Sequence, residues 1–286
     1  MLPPSLPPET DLAQAPAEPP RLTLPDPPLG GAPARLGDRA WITGLVRDAG
    51  AVALGHLHQV VILHHKPDRS IVTTADIAAE RVLLDGIRRR YPDERIFSEE
   101  EGQLAGSGTA RWYVDPIDGT SAFAEGLAHW GPSIARFGVV EGRLQVTLGA
   151  TLLPRINELY VYDGKPWFNE RLMSPISAPT SQRTVLLPSR FHDYFRLSWS
   201  AKGRCLGGTA AHLALVARGS AAAALVAPGW SLWDTAVGLA LIDAVGGRIL
   251  RVADGLPLDP LAHEGEAFVA AAPEIADEFV KCAVPA

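Results

Sequence analysis

The feature that most constrains this chain is an apolar run that leads directly into two aspartates, at residues 112–120 with the sequence WYVDPIDGT. The apolar start predicts a buried strand, and the strand is expected to end at Asp115 and Asp118. Pro116 fixes the backbone φ angle, while Gly119 permits a left-handed or closely packed backbone. The run therefore predicts a strand followed by a tight turn that carries both carboxylates.

Such a turn can direct the two carboxylates and the carbonyl of Ile117 toward one point, which suits the oxygen preference of Mg²⁺. The amides of Gly119 and Thr120 follow directly and could donate to a phosphate at a helix start. A plain Asp-Pro turn with a hydrogen-bonded aspartate explains the same residues structurally. The local pattern leaves both interpretations open.

A second acidic group, Glu99 to Glu101, follows a strand predicted at Arg95 to Phe97. Adjacent carboxylates repel one another, so they should turn into solvent unless a cation compensates them. A solvated loop is thus the structural alternative to a metal-binding role for Glu99 and Glu100.

Asp76 and Asp234 each stand three residues after a potential N-cap, Thr73 and Ser231 respectively. A capping box accounts for both aspartates structurally. The functional alternative is that Asp76 bonds a threonine hydroxyl elsewhere and so orients a water, and that Asp234 binds a metal at the mouth of a helix. Four acidic loci at strand ends or helix starts, taken together, are typical of two-metal phosphoryl transfer.

In the rest of the chain, apolar residues recur in some segments at the spacing of a helix and in others at the spacing of a strand. Apolar spacing predicts a helix capped by Asp38, a second that starts near Thr73, a third capped by Thr209, and a fourth opened by Ser231. Short strands with turn signals between Ser133 and Tyr162 predict an antiparallel meander. This mixture favours a layered α/β architecture.

Residues 1–35 are dominated by proline and predict a disordered or polyproline tail, so that one folded domain is expected over residues 36–286. The charged fraction of 20% and the net charge of −6 argue against nucleic-acid and membrane partners. The chain has two isolated cysteines, no secretory signal pattern and no stretch of about 20 apolar residues. A cytoplasmic location is the expectation.

At these residues the chain resembles the inositol monophosphatase superfamily of metal-dependent, lithium-sensitive phosphatases. The resemblance covers roughly residues 40 to 250 and leaves out the proline-rich tail. It rests on motifs in family order: Lys66, Val72-Thr73-Thr74-Ala75-Asp76, Glu99-Glu100, Asp115-Pro116-Ile117-Asp118-Gly119-Thr120, Gly208-Thr209-Ala210-Ala211, and Trp233-Asp234 followed by Gly246-Gly247.

The resemblance implies an αβαβα sandwich and two to three Mg²⁺ ions. By position, the first ion is held by Glu99, Asp115 and the carbonyl of Ile117, and the second by Asp115, Asp118 and Asp234. A third, weaker ion is implied near Glu99.

The resemblance also implies that Thr120, hydrogen-bonded to Asp76, helps to deprotonate the attacking water, with Lys66 and Glu100 lying behind the metal ligands. Substrate contacts are implied for a further set: the phosphate-binding amides of Gly119 and Thr120, and a wall for the leaving group made by Gly208, Thr209 and Ala210. No covalent phosphoenzyme is implied.

One departure concerns the substrate. Inositol-specific members carry an acidic sugar contact seven positions before the last metal aspartate, where this chain has Ala227. The expected activity is hydrolysis of inositol 1-phosphate or a related sugar phosphate. The alternatives are a 3′(2′),5′-bisphosphate nucleotidase, a histidinol-phosphate phosphatase, or a non-catalytic homologue that binds sugar phosphates. Homodimerisation is a further expectation from the resemblance.

Overall fold

The computed structural model describes residues 37–66, 70–177 and 183–286. The tail predicted for residues 1–35 lies outside the described residues. The helices are α1 (Asp38–His56), α2 (Thr74–Arg90), α3 (Thr120–Ala124), α4 (Phe191–Tyr194), α5 (Thr209–Ala217), α6 (Leu232–Ala244) and α7 (Ala276–Cys282). None of these helices is long and apolar enough to cross a membrane.

The strands, in chain order, are β1 (Ile62–His65), β2 (Ile71–Thr73), β3 (Arg95–Ser98), β4 (Gly102–Leu104), β5 (Arg111–Asp118), β6 (Gly131–Val140), β7 (Arg143–Leu153), β8 (Glu158–Tyr162), β9 (Pro166–Phe168), β10 (Arg171–Leu172), β11 (Val185–Leu186), β12 (Phe195–Leu197), β13 (Gly203–Arg204), β14 (Ala223–Val226), β15 (Arg248–Arg251), β16 (Phe268–Ala271) and β17 (Ala283–Pro285).

Two of the sheets are large. The first has eight strands in the order β10-β9-β8-β7-β6-β5-β3-β4, and the second has five in the order β13-β11-β14-β16-β15. The predicted meander is present as β6, β7 and β8, which pair antiparallel in sequence. Strands β1 with β2 and β12 with β17 form two-stranded sheets beside them.

The elements stack as five layers. Helices α1 and α2 pack on each other and cover one face of the eight-stranded sheet, where Ile42, Leu83 and Trp112 share one apolar cluster. Helices α5 and α6 lie between the two sheets, and α7 covers the outer side of the five-stranded sheet. This order confirms the αβαβα sandwich.

Helix starts agree with the sequence to within one residue, and two predicted caps were wrong. Gly37 and Gly208 precede the helices as N-caps, so Asp38 and Thr209 are each the first helical residue instead. The Asp38 carboxylate accepts two hydrogen bonds from Arg90, at 2.9 and 2.7 Å. Asp38 therefore ties the start of α1 to the end of α2.

Strand β5 is longer than the sequence predicted. It continues through both aspartates to Asp118 and keeps its antiparallel pairing with β6. The register shifts between Asp115 and Asp118, so the proline turn is accommodated as an irregularity inside the strand. Strand β3 runs parallel to β5 and pairs Ser98 with Val114, which brings Glu99 to the same sheet edge as Asp115.

Candidate active site

A cavity of about 670 Å³ lies where the central helices, the end of β5 and the five-stranded sheet meet. It is lined from the first sheet by Glu99, Asp115, Ile117, Asp118, Gly119 and Thr120, and from the central layer by Gly208, Thr209, His212 and Asp234. Most of the residues singled out from the sequence therefore face one space. Asp76, Lys66, Glu100 and Ala210 stand behind this lining.

Three carboxylates form the centre of the cavity. Oxygens of Asp115, Asp118 and Asp234 all lie within 4.8 Å of one another. Burial raises the pKa of all three, and repulsion from Glu99 and Asp118 raises those of Asp115 and Asp234 further. The pKa of Asp118 rises to about 7. A cluster of this kind holds uncompensated negative charge.

Asp118 is positioned by the N-terminus of α5. Its two carboxylate oxygens accept the backbone N–H groups of Thr209 and Ala210, at 3.0 and 2.9 Å. A side chain at position 208 would clash, because a Cβ on Gly208 would lie 1.9 Å from the Asp118 carboxylate. The amides of Thr209 and Ala210 are thus engaged by Asp118, while Gly208 and Thr209 form part of the cavity wall.

Gly119 has a φ of +86° and is the N-cap of α3. A Cβ at this position would come within 2.9 Å of the Gly208 backbone. Glycine is therefore required at position 119 for two reasons: the left-handed backbone and the close approach of the loop before α5.

Asp76 makes both of the contacts that its sequence left open, the helix cap and the hydrogen bond to a distant threonine. One carboxylate oxygen closes the capping box of α2 by accepting from the N–H of Thr73 at 2.8 Å. The other oxygen lies 3.1 Å from the hydroxyl of Thr120, which is also 3.1 Å from the carbonyl of Ile117. The capping oxygen therefore sets the direction in which the free oxygen meets Thr120.

Lys66 lies between the two glutamates. Its Nζ is 2.8 Å from a carboxylate oxygen of Glu99 and 2.8 Å from one of Glu100. Burial raises the pKa of Glu100 to about 7, and the two glutamates together raise the pKa of Lys66. The cation that the clustered glutamates need is thus supplied in part by the chain itself.

Glu80 was not singled out from the sequence, although it holds the glutamate loop in place. It is 1% exposed, and one of its oxygens accepts from the Ser98 hydroxyl and from the N–H groups of Glu100 and Glu101. The available signal was its position four residues after Asp76, on the same face of α2.

His212 and Glu264 were also missed. The Nε2 atom of His212, a buried residue of α5, accepts the N–H of Leu206 at 3.1 Å and so anchors the loop before α5. Burial lowers the pKa of His212 to about 4, so it is neutral near pH 7. Glu264 accepts the N–H of Leu232 at 2.9 Å, at the start of the helix that carries Asp234.

The donor set fits a divalent cation of the Mg²⁺ type. Asp115, Asp118 and Asp234 offer hard oxygen ligands at a separation that one or two ions can bridge. Their raised pKa values agree with this, because they mean that the three carboxylates are costly to ionise together without a nearby cation.

We expect the metal-free protein to lose stability as the pH rises from about 5 to about 8. Asp118 has a raised pKa in the folded state, so its contribution is fully present below its ordinary value of 3.8 and is lost as the pH passes about 7. Mg²⁺ should reverse the loss, because a bound cation favours the ionised carboxylates. Thermal unfolding with EDTA and with Mg²⁺ at both pH values measures this. Equal responses to Mg²⁺ at both pH values, or an unchanged pH dependence in Asp118→Asn, would contradict it.

We also expect Glu80→Ala to lower the free energy of unfolding by about 2–4 kcal/mol, because three donors around Ser98 lose their buried acceptor. Glu278→Ala is the control, since Glu278 is an exposed partner of Arg183 and exposed pairs contribute less than about 1 kcal/mol. Urea unfolding of the two variants compares them. Similar losses would show that Glu80 does not hold the loop.

The sandwich gathers acidic residues where its layers meet, and three of them could hold a divalent metal ion. Residues 39–284 match the family model described as the inositol monophosphatase family. The chain therefore belongs to that family, which is a family of phosphatases.

Two related proteins and one solved structure illustrate the similarity of this chain to the family. The chain is 30% identical to a histidinol-phosphatase of Streptomyces coelicolor over 218 residues, covering 71% of this chain and 80% of that protein. It is 32% identical over 219 residues to the Nus factor SuhB of Xylella fastidiosa, covering 71% and 78% respectively. The structure of an inositol monophosphatase from Thermotoga maritima superposes with a TM-score of 0.73 at 28% identity, covering 86% of this chain and 96% of that one.

Proposed function

We propose that this protein hydrolyses a small phosphate monoester by direct attack of water, with inositol 1-phosphate or a related sugar phosphate as its substrate. The observation that carries the proposal is one cavity that joins the carboxylate triad to the Thr120 hydroxyl, which in turn lies 3.1 Å from Asp76. A metal cluster next to a hydroxyl–carboxylate pair suits the activation of water.

Two to three Mg²⁺ ions would be held by this chain. Glu99, Asp115 and the Ile117 carbonyl would hold one, and Asp115, Asp118 and Asp234 another. Bound Mg²⁺ makes water more acidic and neutralises the charge that develops on the phosphate and the leaving oxygen. Lys66 and Glu100 would lie behind these ligands and orient Glu99.

Proton movement would pass through Thr120. In this proposal its Oγ1 accepts a proton from the attacking water while its own proton moves to Asp76. Burial raises the pKa of Asp76, which makes that carboxylate a better proton acceptor than an exposed aspartate. The hydrogen bond from Thr73 holds Asp76 in the geometry needed for this step.

The phosphate would be bound by the amides of Gly119 and Thr120, where α3 begins and N–H groups have no acceptor within the helix. Gly208 and Thr209 would form the wall beside the leaving group, with Ala210 behind them. In this proposal the phosphatase domain comprises residues 36–286. The protein acts in the cytoplasm and assembles as a homodimer.

Histidinol phosphate is the second candidate substrate, and the similarity to a histidinol-phosphatase is what favours it. The test is phosphate release from inositol 1-phosphate, fructose 1,6-bisphosphate, adenosine 3′,5′-bisphosphate and histidinol phosphate, each with Mg²⁺ and with EDTA. We expect Mg²⁺-dependent release that is fastest for a sugar phosphate. Tight binding without release from any substrate would overturn the enzymatic proposal in favour of a sugar-phosphate-binding homologue.

A further inference from the structure

The five-stranded sheet presents a second side of the cavity. Strand β11 lies between β13 and β14 and is parallel to both, with Val185 paired to Gly203 and to Ala223. The carboxyl ends of parallel strands meet at one edge of a sheet, where ligands of α/β proteins commonly bind. The cavity is lined by residues that follow β11 and β13 and by the last residue of β14: Pro188, Ser189, Arg190, Cys205 and Val226. We call these five residues the small-sheet edge.

Arg190 sets the charge of this edge. It is the one lysine or arginine among the described residues that line the cavity, and the other four members of the small-sheet edge carry no charge at neutral pH. Ala227, next to Val226 at the end of β14, is also uncharged. The lining of the cavity therefore includes the carboxylate triad on the side of the first sheet and one arginine, which is paired with Asp193, on the side of the second.

The Arg190 side chain is held by one hydrogen bond, which leaves its two terminal nitrogens available to a ligand. Its Nε donates to a carboxylate oxygen of Asp193 at 3.0 Å, within the short segment that forms α4. Its two terminal nitrogens make no hydrogen bond with any described residue. A guanidinium fork matches the oxygens of a phosphate or a carboxylate in a two-point contact.

We propose that Arg190 binds a second anionic group on the substrate, so that the preferred substrates are phosphate monoesters whose leaving group carries another phosphate or a carboxylate. This inference rests on the proposed function, because it takes the triad as the place where the ester is hydrolysed. The substrate then spans the two sheets. Its reacting phosphate lies at the triad, and its second anion lies at Arg190.

The test uses two substrate pairs that differ chiefly in the second anion. Fructose 1,6-bisphosphate is compared with fructose 1-phosphate, and 2-phosphoglycerate with glycerol 2-phosphate, so that a second phosphate and a carboxylate are examined separately. We expect the doubly anionic member to have about tenfold higher kcat/KM in the wild type, as one charged hydrogen-bonded contact provides. Arg190→Gln should remove this preference through KM, with kcat and the singly anionic substrates unchanged.

Two variants serve as controls. Arg196→Gln makes the same change of charge at an exposed residue of β12 outside the cavity, and it should keep the preference. Arg190→Lys keeps the charge without the fork and should retain part of the preference. Loss of the Arg190–Asp193 pair should not unfold the protein, because 49% of the Arg190 side chain and 43% of the Asp193 side chain are exposed.

Three outcomes would overturn the role of Arg190: no preference in the wild type, a preference that survives in Arg190→Gln, or equal losses in Arg190→Gln and Arg196→Gln. If the wild type hydrolyses the singly anionic esters without any preference, the proposed function stands and this inference fails. If it hydrolyses none of the four, and also releases no phosphate from inositol 1-phosphate or histidinol phosphate, the proposed function fails. The affinities of the wild type and Arg190→Gln for the fructose phosphates, measured by calorimetry, then decide the role of Arg190.

Discussion

Asp115→Asn should abolish Mg²⁺-dependent phosphate release while the protein remains folded. Asp115 is the carboxylate that the proposed function shares between both metal ions, so its removal should slow turnover by a factor of about a thousand or more. The asparagine oxygen can still accept the N–H of Ile117, which Asp115 now accepts at 2.9 Å. The local turn should therefore persist.

The metal-free variant should be at least as stable as the wild type, because burial and repulsion from Glu99 and Asp118 oppose a charge on Asp115, and the asparagine carries none. Phosphate release and thermal unfolding, measured on the same preparation, separate the loss of chemistry from a loss of fold. Asp277→Asn is the matched control, since Asp277 is an exposed partner of Arg248 and does not line the cavity. Unchanged hydrolysis by Asp115→Asn would refute the metal assignment.

Asp76→Asn should slow hydrolysis by a factor of about 10² to 10⁴, the range expected when a positioned proton acceptor is lost. The asparagine can turn its oxygen toward the N–H of Thr73 and keep the cap of α2. Its amide then faces the Thr120 hydroxyl, which becomes an acceptor and has no carboxylate to receive its proton. The effect should appear in kcat, with only a small change in the free energy of unfolding.

Two variants of Thr120 test the same pathway from the other side. Thr120→Ser keeps the hydroxyl and should stay active, whereas Thr120→Val keeps the size and should be as slow as Asp76→Asn. Steady-state kinetics of the three variants, with circular dichroism as the check on the fold, measures this. Full activity in Asp76→Asn would leave the capping box as the whole explanation of Asp76.

Much of the fold could be predicted because its signals are local. The period of apolar residues located α1 and α2, and the turn signals located the meander of β6 to β8, since both depend on neighbours within a few residues. The capping boxes at Thr73 and Ser231 were readable for the same reason. The caps at Asp38 and Thr209 were misplaced by one residue, because glycine at N-cap leaves little local signal.

The sequence by itself indicated the candidate residues for the chemistry: two aspartates at the end of a strand, a glutamate pair after an earlier strand, and aspartates at the starts of two helices. Only the tertiary structure decided how they meet. It places oxygens of three distant aspartates within 4.8 Å of one another, sets Lys66 between two glutamates, and brings Arg190 into the same cavity. The physical reason is that capping and periodicity act between near neighbours, whereas desolvation, repulsion between charges and the meeting of strand ends depend on how the layers pack.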